Sequence, residues 1–155
     1  MTTKLSNLRK YVETAKGCIL ESASYTVIHD LKEKGPYWSG TFERSWVGRA
    51  GSVSIPKNVP PTAEPPLEAM TKLVTPPSVT PYNGGTSVNN YTIGNQATYR
   101  AIAQDLVVGR IKSGGNETAG WQWYRSYLSG PFRDTLKATV TSVLKADPRI
   151  TQNFS

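Results

Sequence analysis

Gly35-Pro36-Tyr37-Trp38-Ser39-Gly40-Thr41-Phe42-Glu43-Arg44-Ser45-Trp46 divides the chain between a long helical pattern and its first strand pattern. Two glycines and a proline punctuate the stretch, and two tryptophans and Phe42 anchor it. Upstream, Leu5, Leu8, Val12, Ala15, Ile19, Ala23, Val27 and Leu31 recur in steps of three and four. That period predicts one helix over residues 5–33 with a single apolar stripe. Gly17 sits inside it, at a cost of roughly 1 kcal/mol against alanine, and marks a bend or a close approach. Gly35-Pro36 ends it, a small residue followed by one that cannot continue a helix. Downstream, Phe42, Arg44 and Trp46 alternate with Glu43, Ser45 and Val47, which predicts a strand over 42–48 ended or bulged by Gly48 and Gly51. Ser52 to Ile55 is expected to continue that strand or pair with it.

Residues 56–81 differ in kind. They hold eight of the eleven prolines. Proline has no amide donor, so a central strand is excluded there. The segment reads as an extended arm, stiffened by its prolines and carrying up to two helical turns over 67–74. An excursion of this length inside a compact domain is unusual and is generally functional or disordered. Asn83-Gly84-Gly85 is a turn. Residues 86–94 read as a strand, 97–108 as a short helix closed by Gly109, and 121–127 as another strand by alternation. Pro131 then opens a C-terminal helix along Phe132, Leu136, Val140, Val143 and Leu144, stopped by Pro148. Residues 149–155 are expected to be a loose tail. The order predicts a single domain over 1–155 of the α+β class: a small antiparallel sheet with a long N-terminal, a short middle and a C-terminal helix packed on it.

Composition narrows the function. The chain has 155 residues and a net charge of +7, with a pI near 9.6. Its 18 basic residues are scattered and form no stripe of the kind that binds nucleic acid directly. Apolar residues reach only 37%, which points to long irregular loops or to apolar surface completed by a partner. Met1 to Leu5 carry no apolar leader segment, and no apolar run approaches the roughly 20 residues of a membrane span. Cys18 is the sole cysteine, so neither an internal disulfide nor a cysteine zinc site is available; its place in the helix pattern predicts a buried side chain. His29 is the sole histidine and has no thiol or second imidazole beside it in sequence. No Gly-x-Ser-x-Gly turn or phosphate-binding glycine loop occurs. Glu43, Asp105, Glu117 and Asp134 are the carboxylates left for a hydrolase. We expect no enzymatic activity, cofactor or metal. Tyr99-Arg100 and the aromatics of 121–127 are suited to stacking on single-stranded bases, but core and interface packing is their ordinary use.

Three motifs in order resemble one family. Residues 36–46 resemble the Pro-x-Asp-Thr-Gly-x-Leu-x-x-Ser signature that follows the first helix in the tail-completion, or neck, proteins of long-tailed bacteriophages. Residues 91–102, Tyr-Thr-Ile-Gly-Asn-Gln-Ala-Thr-Tyr-Arg-Ala-Ile, resemble that family's strand ending in Gly-Asn and entering a short helix. Gly130-Pro131-Phe132-Arg133-Asp134-Thr135-Leu136 resembles the start of its last helix. Trp38 stands where the family has Asp, Arg100 where it has Ala, and Ala103 where an acid is common. The proline arm is an insertion. The resemblance implies a non-enzymatic virion protein, assembled in the bacterial cytoplasm. It would form a homo-oligomeric ring at the neck or top of the tail. That ring joins a head connector to tail-tube protein, with genomic DNA passing through its lumen. It further implies subunit contacts at Trp38, Pro60, Pro61, Leu67, Met70 and Leu73, and a DNA-facing role for Arg110 and Lys112. The alternative is a basic, aromatic-rich nucleic-acid-binding module.

Overall fold

The computed structural model describes residues 2–35, 40–60, 75–84, 87–98 and 123–151. Helix α1 spans Thr2–Lys34. A four-residue helix α2, Thr41–Arg44, leads into strand β1, Trp46–Ala50. Strands β2, Ser78–Val79, and β3, Tyr91–Asn95, complete the sheet. Helices α3, Trp123–Ser129, α4, Pro131–Ala146, and α5, Pro148–Thr151, follow. The protein is α+β, as its element order predicts.

The expected strand over 42–48 begins four residues late. Gly40 takes a left-handed φ of 80°, and the Arg44 and Ser45 amides then donate back to the Gly40 and Thr41 carbonyls at 2.9 and 3.1 Å. The Ser45 hydroxyl donates to the Thr41 carbonyl at 2.6 Å, closing the turn. Phe42 and Trp46 are thereby four residues apart on one side of a helical turn, both buried, with rings edge to face at 5.7 Å. The same spacing governs 121–127. Trp123 and Tyr127 are buried on one face of α3, where alternation predicts a strand. Aromatic pairs placed at i and i+4 pack on α1 as helix, and that packing outweighs their strand propensity.

The sheet runs in the order β2-β1-β3. β3 pairs antiparallel with β1, Gly48 opposite Ile93. β2 comes from the proline-rich segment and pairs parallel with β1, so the sheet is mixed rather than antiparallel. Its position respects the chemistry of proline: Pro76, Pro77 and Pro81 flank a two-residue strand at the sheet edge, where missing donors are tolerated. Residues 52–55 form no strand, because Gly51 turns the chain at φ 85°. The helical turns expected over 67–74 lie outside the described residues, as does all but the start of the helix expected over 97–108; Ala97 and Thr98, which are described, form a bridge and a turn.

Two apolar clusters hold α1. Val27, Ile28 and Leu31 meet Phe42, Trp46, Ala97, Trp123 and Tyr127. Ala15 and Cys18 meet Tyr82, Val143 and Ile150. Each large side chain in them contributes about 1.5–3 kcal/mol by leaving water. Asn95, 1% exposed, joins sheet to α2: its amide donates to the Phe42 carbonyl at 2.8 Å and its oxygen accepts from Ala97 N–H at 2.9 Å. Residues 149–151 are a docked helical turn, not a loose tail. Ile150 is buried, and Arg149 reaches Glu21 at 2.6 Å and Asp147 at 2.7 Å.

Candidate functional site

Three polar clusters decide what α1 carries and what it leaves open. The first is buried. Lys32 and Glu43 are 2% and 1% exposed, with Nζ 3.6 Å from Oε1. Lys32 donates to Thr75 Oγ1 at 2.8 Å and to the Thr75 and Pro76 carbonyls at 3.3 and 3.4 Å. Thr75 returns its amide to Glu43 Oε1 at 2.8 Å and its hydroxyl at 3.1 Å. Burial holds the Lys32 ammonium below the ordinary lysine range, and Glu43 pulls it the other way. This cluster pins the returning limb of the proline-rich segment to α1 and α2 immediately before β2.

The second cluster fixes the direction of α4. Asp30 Oδ2 accepts from Thr135 Oγ1 at 2.7 Å and from Tyr127 O–H at 3.1 Å. Burial first, and Asp30 second, raise the Tyr127 phenol above its ordinary range. From there α4 runs back along α1 to Val143, at the level of Ala15 and Cys18. The third cluster closes that run. Arg149 spans Glu21 and Asp147, and Glu21 Oε1 accepts the Tyr82 amide at 3.1 Å.

Among the described residues, in-chain cover for α1 therefore begins near Tyr11. Residues 4–10 are exposed on every side, a projection of roughly 10 Å at 1.5 Å per residue. Leu5, Leu8 and Val12 are 68%, 57% and 52% exposed. In steps of three and four they continue the α1 face that, further along, carries Ile19, Ala23 and Asp30 toward α4. The stripe read from the sequence is thus real in spacing but is buried only from Ala15 onward. Its rim is basic, with Lys4, Arg9 and Lys10 before the first acid, Glu13.

Of the residues implied as subunit contacts, Pro60 is exposed beside Val59, which bridges Ala97. Trp38, Pro61, Leu67, Met70 and Leu73 lie outside the described residues, as do Arg110 and Lys112. Among the carboxylates considered for hydrolysis, Glu43 is committed to Lys32 and Thr75, and Asp134 is exposed on α4. Asp105 and Glu117 lie outside the described residues. Trp123 and Tyr127 are core residues, not a stacking platform. His29, Asp30 and Glu33 bring ligand atoms within 4.8 Å of one another, but Asp30 already serves Tyr127, Thr135 and Lys34. Sequence reasoning missed Lys32. The signal was a second stripe, Ser24, Ile28 and Lys32 in steps of four, hidden because two of its three members are polar.

No family model matches the chain, and neither a curated protein nor a solved structure matches it. Among the described residues no helix is long and apolar enough to cross a membrane.

Proposed function

We propose that this protein is a structural subunit of a bacteriophage particle. It would form a ring at the neck or the top of the tail, between head connector and tail tube, around the DNA channel. The observation that carries the reading is the uncovered leucine stripe at the start of α1. Leu5, Leu8 and Val12 lie on a helix that projects beyond its own domain, in register with a face the domain covers elsewhere. Burying what they expose is worth roughly 3 kcal/mol, a sizeable share for one contact of a repeated interface. A ring of identical chains uses one such heterologous contact per subunit. The helix–turn–strand order around residues 35–46, the Gly-Asn end of β3 and the Pro131 start of α4 support the same reading through the motifs quoted above. The scattered positive charge suits a lumen through which DNA passes without being read.

The test is the state of assembly. Light scattering coupled to size exclusion, with electron microscopy of the peak, should give a closed ring for the purified protein or for the protein in particles. Leu5→Ser with Leu8→Ser should return monomers whose circular dichroism is unchanged, since both side chains are largely exposed. A strictly monomeric chain in both settings defeats the proposal. Salt-sensitive DNA binding by that monomer would favour the nucleic-acid-binding module instead.

A further inference from the structure

The face of the sheet turned away from α1 holds a charged group with no counter-charge among the described residues. Gly48 faces α1, where a Cβ would stand 3.1 Å from Ile28. Its neighbours Val47 and Arg49 therefore point to the opposite face. Beyond Gly51 the chain folds back over that face, and Ile55 lies on Gly94 so closely that a Cβ there would be 2.8 Å away. Between the returning segment and β1 is a cleft of about 310 Å³, walled by Val47, Ile55 and Pro56 and edged by Ser54 and Thr80. Arg49 lines it and is partly buried. Its one hydrogen bond is from Nη1 to the carbonyl of Gly48, at 3.3 Å. No acid among the described residues pairs with it.

We propose that this cleft binds an aliphatic carboxylate, with Arg49 as its anchor. A guanidinium offers a planar fork of donors matched to a carboxylate, and partial burial strengthens that pairing relative to bulk water. The apolar walls select what carries the charge. A carboxylate on a short hydrocarbon stem places the stem against Ile55 and Pro56 and the oxygens at Arg49. A phosphate is the poorer occupant: the cleft supplies one cation, and its apolar walls replace none of the water a phosphate would lose. The shared chemistry belongs either to a glutamate side chain presented by another protein or to a free small acid. The proposal goes beyond assembly into a ring and does not depend on it.

Amide and guanidinium ¹⁵N NMR of the full chain reads the site directly. The probes are butyrate, a blocked Ala-Glu-Ala peptide, its Ala-Gln-Ala counterpart and inorganic phosphate. Butyrate should shift Val47, Thr80 and the Arg49 Nε–H saturably. The glutamine peptide and phosphate should not. Response to both carboxylates assigns the site to a glutamate side chain, and response to butyrate alone assigns it to a free acid. Arg49→Gln should abolish the response, and Arg49→Lys should weaken it about fivefold or more by losing the fork. Arg49 makes a single backbone contact, so both variants should keep the parent spectrum elsewhere; the lysine variant tests the idea even if the glutamine variant fails to fold. Absence of saturable shifts with either carboxylate overturns the proposal. So does an equal response to phosphate, or an unchanged response in Arg49→Gln.

Discussion

Replacing Lys32 by Met leaves the Glu43 carboxylate 1% exposed, with the amide and hydroxyl of Thr75 as its donors on the arm. Removing one member of a buried ion pair costs about 3–5 kcal/mol, because the other charge stays out of water uncompensated. Against a total stability of about 5–15 kcal/mol, that is a large fraction, and it corresponds to a fall in Tm of roughly 10 °C for a chain of this size. Glu43→Leu strands the ammonium instead, and here pH gives a second handle. Lys32 is already held below 10.5 by burial, and without Glu43 the opposing pull is gone. A lysine whose folded pKa is depressed takes up its proton more readily in the unfolded chain. Stability then rises as pH climbs from the folded pKa toward 10.5. The deficit of Glu43→Leu against the parent should therefore narrow as pH rises toward 10.5. The double variant Lys32→Met/Glu43→Leu removes both charges. It leaves the Thr75 amide without its acceptor, a loss of about 1–3 kcal/mol. It should thus be more stable than either single variant, with a coupling energy of several kcal/mol on the order of the larger measured cycles. Urea unfolding followed by the fluorescence of buried Trp46 and Trp123 measures all four chains, and hydrogen exchange at residues 75–80 shows whether β2 is released. A cost below about 1 kcal/mol for Lys32→Met, or a double variant that loses the sum of the singles, refutes the claim that this pair pins the arm.

Two further outcomes follow from the contacts around α1. Gly17→Ala, which in an ordinary helix interior would stabilise by about 1 kcal/mol, should here destabilise by about 1–3 kcal/mol. The added Cβ would stand 2.3 Å from the Tyr82 ring, which is itself held through Glu21 and the Glu13 carbonyl; a gain in thermal stability would show that Tyr82 swings away freely. Asp147→Asn should lose about 1 kcal/mol at neutral pH, a modest figure because the Arg149 partner is partly in solvent. The Arg149 guanidinium holds the Asp147 carboxyl below its ordinary value of 3.8, so its contribution is present above that value and disappears as pH falls through the folded pKa. Urea unfolding across that range should show parent and variant converging in acid, and a gap that persists would assign the loss to packing.

The sequence announces some of this molecule and conceals the rest for definite reasons. The long helix and the helix opened by Pro131 are legible because their apolar residues recur over three or more turns. The aromatic turns at 42–46 and 123–127 mislead because Phe42, Arg44 and Trp46 satisfy alternation over a window too short to exclude a period near four. Only the left-handed Gly40 and the cover supplied by α1 decide between the two. The parallel strand Ser78–Val79 is illegible in a local pattern: two residues between prolines acquire a partner because Lys32 and Glu43, over thirty residues upstream, fix Thr75 in place. Arg49 is invisible for a similar reason, since its cleft is created by the return of the chain after Gly51.

The N-terminal stripe teaches the opposite lesson. Spacing states that a helical face is suited to burial, and it is silent about what buries it. From Ala15 onward α4, α5 and Tyr82 supply the cover, and the pattern and the fold agree. From Leu5 to Val12 the pattern continues after the cover given by the described residues has ended. A helix end that served only its own domain would need no leucines beyond that point, and solvent would favour polar residues on every side of it. Lys4, Arg9 and Lys10 meet that expectation on the flanks, while Leu5, Leu8 and Val12 keep to one line. Apolar order in excess of what the domain covers is the physical ground for reading this helix as a contact between chains. The leucine-to-serine variants separate that reading from mere solubility, because they alter the assembly and leave the domain beneath it untouched.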